Sequence, residues 1–139
     1  MSISIEQILA RSDAALTGYT ALRLSLDRGR LSPGFRAWIA SIVVAMYGSN
    51  TESDDDTMNE EERQAYAEDR GGLAVLRVVE GLVYTQGRVL PSHIGDIRDA
   101  GFGDDEIVEI AANVSLALTE QLVRRAAAWS RNPLPPLDD

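Results

Sequence analysis

The chain has 139 residues, of which 45% are hydrophobic, 25% charged and 6% aromatic, proportions that suit one ordinary globular core rather than a disordered or fibrous chain. Acids outnumber bases 22 to 13, giving a formal charge of -9, so the clustered positive side chains that hold nucleic-acid phosphates are missing. Cysteine is absent and every one of the 13 bases is arginine, which excludes disulfides, thiolate nucleophiles, cysteine-ligated metal and lysine Schiff bases.

The N-terminal "MSISIEQILARSD" lacks the basic segment, apolar core and small-residue cleavage site of a secretory signal, and no run reaches the roughly 18–20 apolar residues of a membrane span. A cytoplasmic protein with no membrane partner is the expectation. Ile5, Ile8, Leu9, Ala15, Leu16, Tyr19, Leu22 and Leu26 recur at three- and four-residue steps, which predicts one amphipathic helix, or two broken near Ser12. Gly29 ends it. In "LSPGF", Ser32 is placed to cap a second helix and Pro33 to occupy its first position, where a missing N–H costs nothing.

That helix, "PGFRAWIASIVVAMYG", has Arg36 as its only charge and reads as the core helix, buried on most of its surface. The acid-rich "SNTESDDDTMNEEE" follows, predicting a loop over about 49–58 and then a short helix over roughly 59–69 with acids at its dipole-favoured start. After "RGG", "LAVLRVVEGLVYTQG" fits helical better than strand periodicity. "LPSHIGDIRDAGFG" is a compact helix opened by Pro91 and closed by Gly101. "DDEIVEIAANVSLALTEQLVRRAAAWS" is a long last helix with acids first and arginines last. Three prolines make the tail, 132–139, non-helical. The fold class expected is all-α, about six helices in one domain over 1–139, with no repeat.

Two segments together resemble the AhpD-like superfamily of carboxymuconolactone decarboxylases and alkylhydroperoxidase D-type proteins. They are "RGRLSPGFRAWIASIVVAMYGS" and "LAVLRVVEGLVYTQGRVLPSHIGDIRDAGFGDDEIVEIAANVSLAL", spanning about 28–122, and "AGFGDDEIVEI" is the more specific piece. In the peroxidase branch of that family a Glu is followed after twelve residues by a Cys, after three more by a second Cys, and after four more by a His. One thiolate attacks the peroxide, the second thiol resolves the sulfenic acid, and Glu and His move protons. Matched on Tyr47-Gly48, these positions hold Ala37, Ser49, Glu52 and Asp56. A hydroxyl does not cycle through two-electron oxidation as sulfur does, so the resemblance implies the fold without thiol peroxidase chemistry.

Other candidates stand beside this. His93, the one histidine, is the first place to look for acid–base catalysis, since histidine ordinarily titrates near neutrality; a solvent-exposed helical position is the preferred reading. Glu52, Asp54, Asp55, Asp56 and Glu60 are oxygen donors suited to a hard cation, but counting from Asp54 puts Met58, Asn59 and Ala65 where an EF-hand needs a ligand, a glycine and a glutamate; a solvated loop is the plainer reading and no metal is expected. Glu80 in an apolar run, with Arg77 one turn before, is either a buried carboxylate or half of an exposed pair, the latter preferred. Ser49 has no neighbouring base or nucleophile elbow. Phe35, Trp38 and Tyr47 line either a pocket or, as preferred, a core.

The resemblance implies self-association as a trimer or hexamer, with the apolar 33–48 helix as a possible oligomer core. The function expected is a structural or small-molecule-binding homo-oligomer without a cofactor. The alternative is a non-thiol lyase of the decarboxylase type, drawing on carboxylates, His93 and arginines such as Arg30, Arg36 or Arg88 to hold a small organic acid.

Overall fold

The computed structural model describes residues 4–47, 60–68, 71–85, 88 and 91–131. Among them are seven α-helices and no strand: α1 (Ile5–Leu9), α2 (Asp13–Asp27), α3 (Pro33–Met46), α4 (Glu60–Glu68), α5 (Gly72–Tyr84), α6 (Pro91–Asp99) and α7 (Asp104–Arg131). The acidic segment expected as a loop and the proline-rich tail lie outside the described residues. No described helix is long and apolar enough to cross a membrane.

Seven helices stand where about six were expected, because the first periodic run is divided. Ser4 and Gln7 form a reciprocal capping box at the start of α1, which stops after five residues. Ser12 then takes extended backbone and accepts the N–H of Ala15, opening α2 afresh. Ser32 does the same for α3 by accepting the N–H of Phe35, with Pro33 in the first turn. Two glycines adopt positive φ, 79° at Gly71 before α5 and 103° at Gly101 after α6, the left-handed backbone that side-chain-bearing residues avoid. Gly71 also leaves room for Ala100 and Phe102, which pack where a Cβ would stand.

The core is centred on α3, which packs against α7, α5 and α4. Trp38, Ile39, Ile42 and Val43 meet Val75, Val78 and Val79 of α5, Ile97 of α6 and Ile110, Val114 and Ala117 of α7. Burying a large aliphatic side chain of this kind contributes about 1.5–3 kcal/mol. The chain's own helices thus cover α3, and its apolar character needs no second subunit. A smaller cluster of Ile5, Leu9 and Tyr19, with Leu16, Leu116 and Val123 against it, fastens α1 and α2 to the later part of α7.

Candidate functional site

The end of α3 is where the family pattern would have its redox centre. The N–H of Tyr47 donates to the carbonyl of Val43 at 3.2 Å, closing the last turn. From α7, Nη2 of Arg125 donates to the Tyr47 carbonyl at 2.8 Å, and its guanidinium lies 5.0 Å from the centre of the Tyr47 ring. A cation at the negative end of the helix dipole and over an aromatic face is favourable on both counts. Ala37 is half-buried on the same helix, ten residues and about 15 Å along the axis before Tyr47. Its methyl group supplies no proton carrier. Ser49, Glu52 and Asp56 lie outside the described residues, as do Asp54 and Asp55 and the side chain of Glu60.

At the other end of α3 an aromatic cluster has formed. Tyr66 of α4 stacks on Trp38 with ring centres 5.7 Å apart and planes 16° from parallel. Phe35 meets Trp38 edge-on at 5.5 Å, and Phe102 packs against Phe35 at 5.8 Å. Such geometries add about 0.5–1.5 kcal/mol per pair beyond area burial. Trp38 is 2% exposed, so Phe35 and Trp38 take the core role preferred for them. Tyr47 does not join them; it faces Arg125. The Tyr66 hydroxyl rests against Gly34, in the space a Cβ would fill. The only sign of Tyr66 in the sequence was one aromatic in an otherwise polar helix.

His93, in the first turn of α6, is half-buried rather than exposed, and its Nδ1 is enclosed without a hydrogen-bond partner. Nε of Arg36 is enclosed in the same way, while its Nη1 contacts Asp27 at 2.5 Å. Arg30 pairs with Asp105, and Arg88 is exposed. Glu80 is half-buried and Arg77 exposed on α5. No group of three or more His, Asp or Glu able to hold a metal ion occurs among the described residues.

Three long-range sets of polar contacts had no local sequence signal. The Tyr19 hydroxyl donates to Glu120 of α7 at 2.8 Å, and nearby Arg23 pairs with Glu6 of α1 at 2.9 Å. Burial first, and then the hydrogen bond to Glu120, push the Tyr19 phenol far above its ordinary range. Glu109 acts as a latch: its Oε1 accepts the backbone N–H of Arg30 at 2.8 Å and that of Leu31 at 3.5 Å, and its carboxylate occupies the space left by the missing side chain of Gly29. These groups join helices.

Comparison with known protein families, characterised proteins and solved structures finds no match for this chain.

Proposed function

We propose that the chain is an AhpD-like protein without thiol peroxidase chemistry, acting as a structural or small-molecule-binding homo-oligomer. The observation that carries this reading is the residue set along and after α3. A helix with the family's pattern leads into Tyr47-Gly48, while Ala37, Ser49, Glu52 and Asp56 stand where the proton carriers and thiols belong, in a chain with no cysteine anywhere. Peroxide reduction of this type needs a thiolate that becomes a sulfenic acid and a second thiol to release it. Arg125 at the Tyr47 carbonyl supports a helix end kept for packing.

A second reading, the non-thiol lyase, has one observation in its favour: the enclosed and unpartnered Nδ1 of His93. Against it, Arg30 and Arg36 are already paired with Asp105 and Asp27, which lowers their pull on an anionic substrate.

Native mass spectrometry of the purified protein tests the main reading. A multiple of the 15.1 kDa subunit is expected. A stoichiometric added mass selects the binding form of the proposal, and an assembly without added mass selects the structural form. A monomer overturns it. Peroxide consumption by the unaltered chain with any thiol reductant would refute the argument from missing cysteine. The variant Ala37→Glu, Ser49→Cys, Glu52→Cys, Asp56→His is expected to form an intrachain disulfide, and its failure to do so would show the site to be misplaced.

A further inference from the structure

The longest helix carries its charges in unusual places. A surface helix ordinarily turns charged residues to solvent and apolar ones inward. On α7, Glu109 and Glu120 instead turn toward α2 and the loop after it, where they hold Arg30, Leu31 and Tyr19. Asp104, Asp105 and Glu106 sit in the first turn, and Arg124 and Arg125 near the end. What faces solvent between these ends is Val108, Ala111, Ser115, Thr119 and Leu122, with Ala126 just beyond, a stripe without a charge in a chain of net charge -9. Val108 is 67% exposed and Leu122 56%. Charge depletion is what marks the centre of a protein interface.

The stripe is also symmetric about its middle. From Val108 to Leu122 the steps are three, four, four and three, an average of 3.5 at which two helices stay in register with slight left-handed coiling. An antiparallel partner identical to this helix, centred on Ser115, sets Val108 beside the partner's Leu122, Ala111 beside the partner's Thr119, and Ser115 beside the partner's Ser115. The small central residues permit close approach, and the two large residues close each end. The same arrangement lays the end of one helix where Asp104 is paired with Arg98 along the end of the other where Arg125 is held at the Tyr47 carbonyl.

The neighbouring helix extends this face. α2 runs antiparallel to α7, since Tyr19 reaches Glu120 while Arg30, just beyond α2, reaches Asp105. Arg23 and Asp27 turn to one side of α2, toward Glu6 of α1 and Arg36 of α3. The other side of α2, with exposed Ala14, Gly18, Leu22 and Ser25, also carries no charge. The stripe on α7, about 27 Å long, and α2, about 22 Å long, lying about 10 Å apart, give a footprint on the order of 500 Å² per subunit, so two copies reach the ~1,000 Å² that specific interfaces need.

We propose that α7 packs antiparallel against α7 of a second copy of this chain, about a twofold axis beside Ser115, with α2 flanking it. The identical-partner symmetry of the stripe, its lack of charge and the area it offers carry this. It deepens the homo-oligomer reading by naming an interface and requires an even number of subunits.

The chain has no cysteine, so Ser115→Cys introduces a single thiol. Under mild oxidation with diamide it is expected to join into a covalent species of twice 15.1 kDa about tenfold faster than Ser92→Cys on exposed α6, through the high effective concentration at the axis. Leu122→Glu, on a side chain already facing solvent, is expected to halve the assembly's mass while leaving far-UV circular dichroism unchanged. Equal cross-linking of the two cysteine variants overturns this interface, as does an odd-numbered wild-type assembly or an unchanged mass in Leu122→Glu. Each of those outcomes leaves the homo-oligomer reading standing. A monomeric wild type overturns both.

Discussion

Tyr19 makes stability fall on the alkaline side in a way that one substitution removes. The phenol is 7% exposed and donates to Glu120 at 2.8 Å, so ionising it would set a second negative charge against a carboxylate in a buried place. The folded chain therefore holds this proton more tightly than the unfolded chain, in which tyrosine titrates near ~10. The contribution is complete below that value and is lost as pH rises above it, while the folded phenol keeps its proton. Between pH 9 and 11 the unfolded state gains about 1.4 kcal/mol from ionising one such group. Tyr19→Phe has no proton to lose. At pH 7 the variant is expected to be less stable than wild type by about 1–2 kcal/mol, because Glu120 loses its donor. The difference should shrink by about 1.4 kcal/mol between pH 9 and 11, measured as urea unfolding midpoints with unchanged slopes. A difference that stays flat over that interval would refute the buried hydrogen bond.

Two further substitutions test how the helices are joined. Glu109→Ala removes a charged acceptor from the N–H groups of Arg30 and Leu31 and should cost about 1.5–3 kcal/mol, while Glu109→Gln, which keeps an oxygen, should cost less than ~1 kcal/mol by the same unfolding assay. Equal losses would mean that an oxygen acceptor at this position is not by itself what holds the loop. Gly34→Ala pits a helix-propensity gain of about 1 kcal/mol against a clash with the Tyr66 hydroxyl, whose ring is held by Trp38 and Phe35. Net destabilisation with a change in tryptophan fluorescence is expected; a more stable variant would show that Tyr66 does not rest on α3.

The helices were legible in the sequence because the forces that start and stop them act within a few residues. Ser12, Ser32 and Pro33 did what their side chains predict at helix starts, and the apolar run of α3 marked the core helix. His93 was expected to be exposed and is half-buried, since burial depends on which helix lies across it and no local rule states that. The candidate site was the least legible. Three of the four positions that the family pattern marks fall outside the described residues, and the fourth, Ala37, is an ordinary half-buried alanine.

By itself the sequence determined the helical class, the absence of cysteine and most helix boundaries, because composition and short-range hydrogen bonding suffice for each. Tertiary structure decided which helices meet. Tyr19 reaches Glu120 across 101 positions and Arg30 reaches Glu109 across 79, contacts that exist only once packing has closed the chain between them. It also decided that Glu109 and Glu120 of α7 turn inward, leaving an uncharged outer face between its ends. Periodicity alone could not show this, because a glutamate bonded across a helix interface and one in water occupy the same kind of place in a helical repeat.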